Sequence, residues 1–138
     1  MIKNDKSDLK PQLKPQGQLT LKVPAMPKDA NAAGDIFGGW LMAQMDITAG
    51  TRASEIARGR TVTAGVKEMA FERPVKIGDT LALYTSDIKV GNTSIRMRVE
   101  AWAIRYLSQE MERVTFADFI MVSIDENGIP TPIKNYQI

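Results

Sequence analysis

Residues 31–50 read NAAGDIFGGWLMAQMDITAG, and this stretch decides the fold. From Ile36 to Thr51 the only charge is Asp46, set among Trp, Leu, Met, Ile, Ala and Gly. Trp40, Ala43, Ile47 and Gly50 recur at helical spacing, and Leu41, Met45 and Thr48 form a neighbouring row. Polar residues return at Arg52, Ser54, Glu55 and Arg58. Apolar nearly all round for about three turns, this helix is expected inside the protein rather than on its surface. It is expected to end near Gly59, because glycine suits a helix C-terminus and Arg58 favours the dipole there.

On the N-terminal side, LTLKV (Leu19–Val23) alternates weakly and reads as a first strand, followed by a Pro-, Asp- and Asn-rich loop, PAMPKDANAAG. Beyond Arg60 the period changes to two: TVTAGVKEMAF, TLALYTSDIKV, TSIRMRVEAWAIRYL and RVTFADFIMVSI all read as strands. Ile95, Met97, Val99, Ala101 and Ala103 make one dry face against Arg96, Arg98, Glu100 and Trp102. VGNTS supplies a Gly-Asn hairpin turn, and DENG and IGD mark further bends. One helix cannot cover both faces of such a sheet. The expected class is α+β, an antiparallel β-sheet wrapped around one long central α-helix. Trp102 and Ile104, on the other face, are expected to be buried by a second subunit. Residues 1–17, rich in Lys, Asp, Pro and Gln, are expected to form a flexible N-terminal tail, with one domain over 18–138.

Composition excludes several function classes. The 138 residues suit a single domain with a real core. A net charge of +2 is too small for a nucleic-acid footprint. The absence of cysteine removes disulfides, thiolate nucleophiles and thiolate metal sites. The absence of histidine removes Ser-His-Asp triads, histidine zinc sites and a histidine base. No metal and no redox cofactor is expected. No apolar run approaches the roughly 20 residues of a membrane span, and the N-terminus lacks a signal-like apolar core, so a cytoplasmic location off the membrane is expected.

Asp46 is then the conspicuous residue. Its helical neighbours Met42, Ala43, Ala49, Gly50 and Ala53 offer it no partner. A core carboxylate without one is costly, so a purely structural helix would carry an apolar residue here. Gly38 and Gly39 each cost about 1 kcal/mol inside a helix relative to Ala. At its N-terminus, however, they let a ligand carbonyl approach N–H groups that have no intrahelical partner. Such donors stabilise the oxyanion of acyl transfer. Eight residues beyond Gly38, Asp46 is expected to face the same cavity. A lone helical Asp is as often a surface or interface residue, and a Gly-Gly pair is more often only a turn, so it is the combination that points to a site.

The segments MPKDANAAGDIFGGWLMAQMD, VTAGVKEMAFERPVKIGD and KVGNTSIRMRVE closely resemble the bacterial hotdog-fold acyl-CoA thioesterases, in the broad-specificity YciA-type branch. The likeness runs from about Leu19 to Ile133. It implies hydrolysis of acyl-CoA to a free carboxylic acid and CoA, in fatty acid metabolism and without a serine nucleophile. By the resemblance, Asp46 is the catalytic carboxylate, acting as general base or as nucleophile. Asn31 is a catalytic asparagine supplied by the opposite subunit, and Gly38, with Gly39, offers the N–H that polarises the thioester carbonyl. The resemblance further implies a homo-oligomer, with a dimer as the minimal active unit and a trimer of dimers as the assembly. Some relatives carry His-Gly-Gly where this chain has Phe37-Gly38-Gly39, which removes any histidine beside the thioester. CoA enters as part of the substrate, and its phosphates call for basic or hydroxyl-bearing surface. Arg60 and the turn residues Asn92, Thr93 and Ser94 are candidates for it, and Val62 and Thr63 for the channel lining. Hotdog dehydratases use a histidine that this chain lacks. The rival from another class is a non-catalytic acyl-CoA-binding module, which would need neither Asp46 nor Asn31.

Overall fold

The computed structural model describes residues 14–134 and 136; the expected tail lies mostly outside them. The elements follow the chain as β1 (Gln18–Pro24), a 3-10 turn (Pro27–Asp29), α1 (Gly38–Ala57), β2 (Thr61–Phe71), β3 (Thr80–Val90), β4 (Ser94–Ile104) and β5 (Met111–Ser123). The five strands form one antiparallel sheet in the order β1-β3-β4-β5-β2, so β1 and β2 are its edges. Helix α1 lies against the concave face and touches every strand. This is the hotdog arrangement. No helix among the described residues is long and apolar enough to cross a membrane.

The core follows from two periodicities meeting. Leu41, Met45, Ala49, Ala53 and Ile56, three or four residues apart, are buried against Leu81, Leu83, Ile95, Met97, Val99, Ala101 and Phe119. The alternation expected in β4 is realised, its odd-numbered residues all joining the core. Two expectations need correction. The helix is not buried all round: Met42 is 44% and Ile47 52% exposed, because a single sheet covers only one side of a helix. Trp102 needs no second subunit to bury it, being 3% exposed within one chain. Its indole N–H donates to Glu100 Oε1 (2.9 Å), and Arg98 Nε donates to the other oxygen of that buried carboxylate (3.1 Å). Ile104, by contrast, is only half-buried.

The helix also ends one residue earlier than Gly59 suggested. Arg58 takes the left-handed capping conformation (φ 54°), and its N–H donates to the carbonyl of Ser54. Turn chemistry behaves as expected elsewhere: Gly78 (φ 95°) and Gly128 (φ 81°) occupy conformations that L side chains resist. The β3–β4 hairpin closes through Gly91 N–H to Ser94 O (2.7 Å).

Candidate active site

The chain entering α1 is fixed by its backbone. Ile36 N–H donates to Val75 O and Phe37 N–H to Asp29 O, both at 3.1 Å. Phe37 occupies the capping position, and no side chain caps the helix. The N–H groups of its first turn, Gly38 and Gly39 among them, are left to other partners.

Two cavities flank this helix start. One, of about 350 Å³, runs between α1 and the edge strand β2. The helix contributes Gly39, Met42, Ala43 and Asp46 to it, a row at i, i+3, i+4 and i+7. Strand β2 contributes Thr63, Val66 and Met69, and Phe119 of β5 also lines it. The other cavity, of about 310 Å³, holds Gly38 with Phe37, Leu41, Phe71 and Arg73. The ring of Phe71 lies 3.8 Å from where a Cβ on Gly38 would stand. The glycine that shares a cavity with Asp46 is therefore Gly39, and Gly38 opens onto the adjoining one.

Asp46 is exposed within the single chain, on a helix that was expected to be buried nearly all round, and it faces a cavity as expected. It lies on the side of α1 turned away from the buried row. Its partner is a neutral hydroxyl: Thr63 Oγ1 donates to Asp46 Oδ1 across the cavity. Thr63 was read from sequence as channel lining only. The hydrogen bond that orients the carboxylate comes from a residue 17 positions away, and no local pattern announces it. Val62, its neighbour, pairs with Val122 and points to the other face of the sheet, 43% exposed. It does not line the cavity with Asp46.

The remaining predicted residues lie apart. Asn31 is held in a tight turn in which its Oδ1 accepts from Ala33 N–H (2.9 Å) and Asp35 N–H (3.1 Å). It lines neither cavity at the helix start. Arg60 donates to the carbonyl of Glu126 (3.2 Å). Asn92, Thr93 and Ser94 close the β3–β4 hairpin, where the carbonyls of Asn92 and Thr93 accept from Ile133 and Ser123 N–H (both 2.8 Å). Of the other basic residues, Lys76 pairs with Asp35 (2.6 Å) and Arg73 with Glu112 (3.5 Å). Beside the Gly38 cavity, Glu72 receives two hydrogen bonds from Arg113 (2.8 and 3.1 Å), which hold its carboxyl below the ordinary glutamate range. No group of three or more acidic, histidine or cysteine side chains able to hold a metal ion occurs among the described residues.

The cavity thus offers one oriented carboxylate, first-turn N–H groups at Gly39 and a mostly apolar wall. That set can activate a water or attack a carbonyl, and it can stabilise the resulting oxyanion.

Residues 33–105 match the model of the thioesterase superfamily. The acyl-CoA thioester hydrolase YciA of Salmonella typhimurium is 48% identical over 122 residues, covering 86% of this chain and 92% of the relative. Among solved structures, HI0827, a hexameric broad-specificity acyl-coenzyme A thioesterase, superposes with a TM-score of 0.85 at 43% identity, over 91% of this chain and 88% of that one. Cj0915 of Campylobacter jejuni, a hexameric hotdog-fold thioesterase, gives a TM-score of 0.80 at 40% identity, covering 86% and 91% of the two chains.

Proposed function

This chain belongs to the thioesterase superfamily, and from that premise we propose that it hydrolyses acyl-CoA thioesters to a carboxylic acid and CoA, with Asp46 as the reacting carboxylate. The observation that carries the assignment is Asp46 itself, a carboxylate oriented by Thr63 in an otherwise apolar cavity at the start of α1.

Gly39 and Asp46 are separated by about 10 Å along the helix axis, enough for a thioester carbonyl and one water between them. In the general-base route, Asp46 takes a proton from that water as its oxygen bonds to the carbonyl carbon. The carbonyl oxygen becomes an oxyanion, stabilised by N–H groups at the helix start. Collapse breaks the C–S bond, and the thiolate leaves as CoA and takes up a proton. In the nucleophilic route, Asp46 bonds to the carbon first and displaces CoA, and water then hydrolyses the anhydride. CoA is part of the substrate, and neither route calls for a metal or redox cofactor. Asn31 is assigned to the site of a neighbouring subunit. Its turn uses the amide oxygen and leaves the NH2 as the group to hold water or substrate.

The unit proposed to be active is a homodimer, three of which form a hexamer like those of HI0827 and Cj0915. What supports it is the apolar surface along α1 and β2: Phe37 and Phe71 beside Gly38, and Met42, Ile47 and Val66 nearer Asp46, are each at least 42% exposed. Light scattering is expected to give a hexameric mass, and a monomer would sink the shared site. A cytoplasmic location completes the reading.

Thiol release from a panel of acyl-CoAs tests the activity. The protein has no cysteine, so a thiol-reactive dye reports only released CoA. Wild type is expected to turn over, and Asp46→Asn to lose roughly 10²–10⁴-fold in kcat while still binding substrate. Tight binding without turnover by wild type would point instead to a non-catalytic acyl-CoA-binding module.

A further inference from the structure

Arg105 lines neither cavity at the helix start, yet it ties together the segments that build that start. It stands where the chain leaves β4 for β5, its side chain 19% exposed. A single nitrogen, Nη1, donates both to the Pro74 carbonyl (3.1 Å) and to the carboxylate of Asp79, which is 3% exposed. Nε and Nη2 donate to Glu112 Oε1 of β5 (3.1 and 2.9 Å). Arg105 therefore fastens the link between β2 and β3 to the start of β5.

That link holds the entry to α1. Pro74 and Val75 belong to the wall of the cavity that contains Gly38, and Val75 O accepts from Ile36 N–H. Asp79 closes the turn at 76–79 by accepting from Lys76 N–H (2.8 Å). The same turn is tied to Ala25, whose N–H donates to Asp79 O (2.8 Å) and whose carbonyl accepts from Gly78 N–H (2.9 Å). Ala25 leads into the 3-10 turn that ends at Asp29, whose carbonyl holds Phe37 N–H. Both backbone bonds that place the helix start thus run back to the segment Arg105 grips.

We infer that Arg105 is a positioning residue for the reaction, fixing the link at 74–79 so that the first-turn N–H groups of α1 meet the developing oxyanion. The inference rests on the acyl-CoA reading above. No side chain caps α1, so its placement depends on those backbone bonds. The oxyanion exists only as the reaction proceeds, so displaced donors slow turnover more than they weaken binding. A misplacement of about 1 Å costs up to roughly 100-fold in rate.

The test is kcat and KM by thiol release, below the melting temperature of each protein, for wild type, Arg105→Gln and Arg105→Lys. A lysine ammonium can stand where Nη1 does and donate to both Asp79 and the Pro74 carbonyl, whereas the glutamine amide is shorter and uncharged. Arg105→Gln is expected to lose roughly 10–100-fold in kcat with KM within about threefold of wild type. Arg105→Lys is expected to stay within about threefold of wild type in both constants. Should the unpaired, buried Asp79 keep Arg105→Gln from folding, the double variant Asp79→Asn with Arg105→Gln removes both charges and is expected to show the same loss in kcat. A folded variant with wild-type kcat, a loss confined to KM, or an equal loss in Arg105→Lys would overturn the positioning role and leave the thioesterase reading intact. Thiol release by wild type from no acyl-CoA would overturn that reading, and this one with it.

Discussion

Thr63 reaches Asp46 from β2, so its hydroxyl can be removed without altering the helix that carries the carboxylate. Thr63→Val keeps the side-chain shape and deletes the donor. A hydrogen bond to a charged group contributes roughly 1.5–3 kcal/mol, so kcat is expected to fall about 10–100-fold. Thr63→Ser, which restores a donor, should recover most of it; equal losses in both variants would show that packing, not the hydroxyl, matters. A second residue-level prediction concerns acid stability. The Arg113 hydrogen bonds lower the Glu72 carboxyl below its ordinary value of 4.5, so the folded state holds its proton more weakly than the unfolded chain. The stabilisation is therefore present above that ordinary value and is lost as pH falls through the lowered one. Melting temperatures measured downward from pH 6 should show a smaller acid decline in Glu72→Gln than in wild type.

At the scale of elements, α1 ends on a residue poorly suited to its backbone. Arg58 is exposed and holds φ 54°, a conformation that disfavours any side chain with a Cβ, while Gly59 stands next to it. Arg58→Gly is expected to stabilise the protein by roughly 0.5–1 kcal/mol, read as a higher denaturant midpoint at unchanged slope. The same element shows what was legible and what was not. The strands were readable because alternation such as Ile95, Met97, Val99 is a local record of which face is dry. The start of α1 and its carboxylate were readable because Gly38, Gly39 and Asp46 break the rules of a structural helix. The Thr63–Asp46 contact was hidden, since its partners meet only when β2 folds beside α1. Met69, which lines the cavity with Asp46, was hidden because two bulges in β2, one at Ala64 and one where Glu68 and Met69 together face Ala117, reset the parity on which strand reading depends. The half-exposed helix was misread because Trp40, Ala43 and Ile47 look like core residues whether a sheet or another subunit covers them.

For the whole molecule, the informative surface is the side of α1 turned from the sheet together with the edge strand β2. Ile47 is 52% exposed beside Asp46, and β2 has backbone hydrogen-bonding groups unclaimed by any other strand of its own sheet. In the proposed assembly both are covered. Ile47→Glu places a charge in that contact, so light scattering is expected to show smaller species, with activity falling alongside the mass. A variant that dissociates yet keeps full turnover would confine the active site to one chain. The two bulges of β2 also bear on how such chains are compared. Deleting Ala64 or Glu68 would leave Thr63, Val66 and Met69 on the faces they already occupy, because each is a surplus residue set against an uninterrupted β5. Gain or loss of one codon at these points changes the curvature of the strand but does not shift its frame. Gaps in an alignment of related genes therefore belong inside this strand as readily as between strands, and an alignment that forbids them there would pair Met69 with the wrong residue.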